Sequence, residues 1–220
     1  MSGRATRVEQ QNLIVDSEGM GGAVNWTDLG ATGVANATPN PFGGANGAAL
    51  VENGAVSTHE RFPSASLVTL TSNAQWVAVS VWFAPDTRTF GGIMVDAGGF
   101  FQLTGCWNLT TGANTQLTFT AGSRGIAGTE RQASERESTW VSGWRRFTVA
   151  CFLRAGDPVG IFPGRLFLST TGFAGAYAGD GVSRIFAWGA QYVRANWAGP
   201  YVRTNPAIVD TGNIRNLASV

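Results

Sequence analysis

The chain has 220 residues, 44% of them apolar and 13% charged, with a net charge of +1. That supports one substantial core, and it excludes the broad field that would draw the protein to nucleic acid or an anionic membrane. Thirty glycines and eight prolines are scattered rather than pooled in a linker, which suits one domain of many short strands joined by turns.

The polar stretch 1–11 reads as an N-terminal arm with no signal peptide, and the apolar runs beyond it are strand-sized, so no membrane span is expected. A strand is predicted over Asn12–Val15. Gly19–Gly47, rich in Gly, Ala, Asn and Thr, is expected to cross one end of the fold as a loop. Short strands follow at Ala48–Val51, His59–Phe62 and Leu67–Leu70. Alternation is plainest in Gln75–Phe83, where Val77, Val79, Val81 and Phe83 share one face and Trp76, Ala78, Ser80 and Trp82 the other. Both faces are largely apolar. This strand should therefore turn one face to the core and have the other covered by a loop, a neighbouring element or a partner subunit.

Strands are next predicted at Ile93–Asp96, Phe100–Leu103 and Gln116–Thr120, and Ala121–Ser138 is expected to be a long solvent-facing loop of Arg and Glu. Trp144–Phe152 alternates again, with Phe147, Val149 and Cys151 inward and Arg146, Thr148 and Ala150 on a half-exposed outer face. Arg165–Ser169 and Arg184–Val193 complete the set. The pattern predicts an all-β fold, a two-sheet antiparallel β-sandwich (jelly roll) with long loops and extended terminal arms. Its boundaries are an arm at 1–11, the sandwich at 12–207 and a tail at 208–220.

The residues carry little catalytic machinery. His59 is the single histidine, set on a predicted strand, and no Gly-x-Ser-x-Gly elbow or Walker-type loop is present. A satisfied structural role is expected for it. Glu130, Glu135 and Glu137 sit among arginines as salt-bridging positions rather than as a carboxylate pair flanking a sugar. Cys106 and Cys151 pair only if their strands are neighbours; otherwise they are small buried apolar residues. The expectation is a non-enzymatic protein.

Eight tryptophans leave two readings open. Trp107, followed by Asn108, and Trp140 are candidates for stacking a sugar ring, or for packing and subunit contact, whereas Trp76, Trp82, Trp144 and Trp188 belong to strands and the core. The segment 195–206 combines aromatic residues and arginine in the manner of an interface, with Trp197, Pro200, Tyr201 and Arg203 as its candidate residues. Proline keeps it from being a regular strand.

Three segments carry a family resemblance: Asn12-Leu-Ile-Val-Asp-Ser17 with Trp26 after it, Trp188-Gly-Ala-Gln-Tyr192, and Tyr201-Val-Arg-Thr204. Together they resemble the jelly-roll, carbohydrate-binding-module-like domain of bacteriophage virion proteins, over about Asn12 to Ala207. In that family the N-terminal strand and the Trp-Gly-Ala-Gln strand lie together, followed by a short tail. Here Val193 stands where the family carries an acidic residue, and the proline of the tail motif falls early, at Pro200.

The resemblance implies a virion structural protein, a capsid decoration or cement protein assembled in a bacterial cytoplasm. Its partners would be the major capsid protein or other virion proteins, and further copies of the chain with a trimer favoured, but not nucleic acid or a membrane. The alternative it implies is an adhesin module that binds a host surface glycan. No cofactor is expected beyond a structural Ca²⁺ near the N-terminal strand, for which Asp16 and Glu18 are the nearest residues; otherwise Asp16 closes a turn.

Overall fold

A computed structural model of the chain describes residues 12–14, 16–64, 75–96, 101–121, 133–141, 143–153, 162–195 and 197–204. The expected strand at Leu67–Leu70, the arm at 1–11 and the tail at 208–220 lie outside them. The described strands are β1 (Trp26–Leu29), β2 (Ala31–Thr38), β3 (Gly47–Glu52), β4 (Val56–Ser57), β5 (His59–Pro63), β6 (Gln75–Pro85) and β7 (Phe90–Asp96). They continue with β8 (Phe101–Asn108), β9 (Asn114–Ala121), β10 (Ala133–Val141), β11 (Trp144–Leu153), β12 (Phe162–Ser169), β13 (Tyr177–Ala178) and β14 (Arg184–Val193).

One sheet runs β1-β5-β12-β7-β8-β9 and the other β10-β11-β6-β14-β3-β2, while β4 and β13 form a short ribbon. The fold is an all-β sandwich whose named strands pair antiparallel. The chain passes from β5 in one sheet to β6 in the other and back to β7, and again from β11 to β12 to β14, the crossing expected of a jelly roll.

The alternation of β6 and β11 explains the core. Val77, Val79, Val81 and Phe83 are buried on one face of β6 and Phe147 and Val149 on that of β11, and they meet Ile93, Leu103 and Trp107 from the facing sheet. The Trp107 ring lies 4.8 Å from that of Phe147. Cys106, on the opposite side of β8, is a free thiol buried with Met94 and Phe167. It belongs to a different sheet from the strand of Cys151, so these strands are not neighbours.

Four expectations are corrected. Within Gly19–Gly47 the chain forms β1 and β2, which close an edge of each sheet; β2 is half exposed, so its residues carry weak alternation. Ala121–Ser138 contains the end of β9 and most of β10, and β10 is an edge strand, where charged residues are at home. The outer face of β11 is covered rather than half exposed, with Arg146, Thr148 and Ala150 all buried. Residues 12–14 are not a strand, although the Leu13 N–H donates to Tyr192 O at 2.8 Å.

Candidate functional site

The outer face of the β6, β11 and β14 sheet is covered by the chain's own segment 197–204. Register places Gln191 beside Ser80 and Trp188 beside Trp82, with Thr148 and Arg146 next in those rows. Between Trp188 and Gln191 the ladder shifts at Gly189, whose φ of 64° lies in the left-handed region and whose missing Cβ leaves room for Tyr201 and Trp82. The bulge turns the Gln191 side chain toward the covering segment.

Gln191 ties that segment down. Its Nε2 donates to Ala198 O at 2.7 Å and Pro200 O at 3.2 Å, and its Oε1 accepts from Val202 N at 3.1 Å and from Arg146 Nη2 at 3.0 Å. Arg146 also donates to Gly199 O at 2.5 Å and to Ser80 Oγ. Burial lowers the Arg146 guanidinium to about 10, since its hydrogen-bond partners are neutral.

The N-terminal segment completes a clasp. Asn12 Nδ2 donates to Ala190 O and Val202 O, and its Oδ1 accepts from Ile14 N and Tyr192 N. Ser17 Oγ meets Tyr201 OH at 2.7 Å and accepts from Thr204 N at 2.9 Å, while Thr204 Oγ1 donates to Ile14 O at 2.5 Å. Burial pushes the Tyr201 hydroxyl well above its ordinary value, and the nearby Glu18 charge adds to this. The three motif segments thus converge on one place.

A cleft of about 360 Å³ opens beside the clasp, lined among others by Asp16, Glu18, Asn36, Asn46, Arg203 and Thr204. Asp16 sits at a φ of 58°, and a Cβ on Gly19 would overlap its carboxylate. The Glu18 carboxylate accepts from Asn46 Nδ2 at 2.8 Å and Arg203 Nε at 3.1 Å, with Tyr201 OH at 3.4 Å. Among the described residues the Asp16 carboxylate accepts only from Asn25 Nδ2, at 3.5 Å.

Asn46 links this cleft to an aromatic patch, accepting Trp188 Nε1–H at 3.1 Å. The Phe42 ring rests edge-on against Trp188 at 5.4 Å and Trp82 at 5.6 Å, and 54% of Phe42 stays exposed. Asn40 holds its loop, accepting from Phe42 N and Gly44 N.

The expected site residues divide. Asp16, Glu18 and Arg203 come together in the cleft. The calcium expectation fits poorly, because Arg203 and two neutral donors already occupy Glu18, and among the described residues no three His, Cys, Asp or Glu side chains converge. Trp107 is corrected from a sugar platform to a core residue, since it is fully buried. Asn108 is half-buried, and its Oδ1 accepts from Thr110 N and Thr111 N to close the β8–β9 turn. Trp140 lies on β10, but its side chain is outside the described residues.

Among the interface candidates Trp197, Pro200 and Arg203 are exposed, whereas Tyr201 is taken up by the clasp. His59 is buried with Nδ1 at 2.6 Å from Gly30 O and Nε2 at 3.2 Å from Tyr177 O, which leaves neither nitrogen open to a substrate. Phe42, Asn36 and Asn46 were missed. The Asn-Pro-Phe-Gly-Gly turn around Phe42 was legible as a turn, and an apolar ring at its tip was the signal.

No protein-family model matches the chain, and a search of curated proteins finds no match to it.

Proposed function

We propose that this chain is a non-enzymatic structural protein of a bacteriophage virion, a decoration or cement protein of the capsid. The observation that carries the reading is the clasp. Asn12, Ser17, Gln191, Tyr201 and Thr204, which lie in the segments of family resemblance, bond to one another or to the backbone of those segments. The chain therefore enters and leaves the sandwich at one place, with Trp197 and Arg203 exposed there, and a shell surface gripped at that place would hold the sandwich outward. The partners of this reading are the major capsid protein and further copies of the chain. Light scattering of the purified protein, followed by cosedimentation with expanded undecorated heads, tests it. A trimer that binds heads with saturable stoichiometry is expected, and a monomer that ignores heads overturns the reading.

A second reading, an adhesin module for host polysaccharide, is favoured by one observation: a polar cleft is joined through Asn46 and Trp188 to an exposed aromatic ring, that of Phe42, packed on two tryptophans. The two are compatible, because a site is grafted on a fold rather than dictated by it.

A further inference from the structure

We infer that the cleft between the 16–24 segment and Arg203 binds a neutral saccharide, with the Phe42 ring as its apolar platform; this rests on the second reading above. The volume, about 360 Å³, falls in the range of small-molecule sites, roughly 300–1,000 Å³, and at its small end. A short oligosaccharide segment fits that size, and a longer chain would run out over Phe42.

The lining selects the ligand class. A sugar ring offers hydroxyls that both donate and accept, and an apolar C–H face. Asp16 is a carboxylate with one long amide contact and no ion pair among the described residues, Arg203 across the cleft being paired with Glu18, so its lone pairs are available to a pair of hydroxyls. Asn36 lines the cleft with an amide and Arg203 with a guanidinium whose side chain is 65% exposed, while the Asn46 amide and the Thr204 hydroxyl are bonded within the protein and shape the wall. Anions are disfavoured: Asp16 and Glu18 line the same wall, and Arg203 is already committed to Glu18. Phe42 supplies the apolar face, braced by Trp82 and Trp188 so that stacking on it orders little further. Asn46 fixes the two halves relative to each other, since its side chain bonds both Glu18 and Trp188.

The test is an array of neutral and sialylated oligosaccharides probed with the full chain, then calorimetric titration of the neutral glycan retained best. Asp16→Asn keeps the side-chain size and a residue tolerant of the left-handed backbone, so it leaves the fold in place. Phe42→Ala removes a mostly exposed ring. Each is expected to weaken binding at least about tenfold, the loss of one charge-assisted hydrogen bond or one stacked ring. Phe173→Ala, at an exposed apolar residue away from the cleft, should bind as the parent does. Matching thermal melts of Phe42→Ala and the parent separate a lost platform from a lost fold. An array with no neutral glycan retained overturns the site together with the adhesin reading. A retained glycan whose affinity is indifferent to both cleft variants, or tighter binding of the sialylated glycans, overturns the site and leaves the adhesin reading standing.

Discussion

The guanidinium of Arg146 and the side-chain oxygen of Gln191 meet at 3.0 Å under the 197–204 segment, two polar groups from neighbouring rows of a sheet face that is otherwise aromatic and small. They satisfy each other and the backbone of the segment above. Each buried carbonyl of that segment that loses its donor loses far more than the net value of a hydrogen bond.

Gln191→Ala should therefore destabilise strongly, because it strips a buried contact. It removes the partners of Ala198 O, Pro200 O and Val202 N and one acceptor of Arg146. A loss of about 2–4 kcal/mol is expected. Urea unfolding followed by tryptophan fluorescence measures it; a change below about 0.5 kcal/mol would mean that water replaces the amide freely.

Trp107→Ala should cost about 3–5 kcal/mol, as for a large aromatic lost from a core, and leave glycan retention on the array unchanged in the fraction that stays folded. A stable variant with altered binding would return Trp107 to the surface role that its burial denies.

Stability should fall as the pH rises above about 9. Burial pushes the Cys106 thiol up to about 11 from 9.0, so the unfolded chain loses this proton first and is favoured between those values. Tyr177 and Tyr201 act in the same direction above pH 10, since burial raises both. Thermal melts across pH 8–10, below the range where the tyrosines and Arg146 contribute, should show a falling midpoint, and Cys106→Ala should flatten it. A parent whose midpoint holds level through that window would contradict the buried thiol.

At the acid end Glu52 is the group to watch. Burial pushes its carboxyl up, but Arg88, the Tyr177 hydroxyl and the Asp180 N–H together hold it below the ordinary 4.5. The stability it contributes is present above pH 4.5 and is lost as the pH falls through the lowered value. Glu52→Gln should cost about 2–4 kcal/mol at pH 7 and less once the pH has fallen through that lowered value, because it leaves Arg88 with only the more distant, part-exposed Asp180 as a charged partner. Equal losses above and below it would assign the cost to shape rather than charge.

Much of the sandwich was legible, and the reasons are local. The alternation of Gln75–Phe83 and Trp144–Phe152 placed β6 and β11 and their inward residues, because a period of two needs only neighbours. The same rule, applied to β8, aligns Trp107 with Leu103 on the inward face and would have removed it from the sugar candidates. β10 was missed because an edge strand of Ser, Glu and Arg has no apolar period to read. What covers the outer face of β6 cannot be read from the strand itself. The answer depends on Gln191 reaching residues seven to eleven positions on and on Asn12 reaching residues 178 and 190 positions away, distances at which no sequence pattern speaks. The cleft shares that origin: Asp16 and Arg203 face one space only because the clasp is closed.

Asn12 and Val202 are joined by one hydrogen bond of 2.8 Å, so a load applied through the two ends of the fold does not pass across the sheets. Tension meets the clasp first, at the bonds that Asn12, Ser17 and Thr204 make to each other's segments and to β14, and the ladders of β6 and β11 lie behind it. The sandwich behaves as a bead hung from a single knot, and what fails under a pull is the knot.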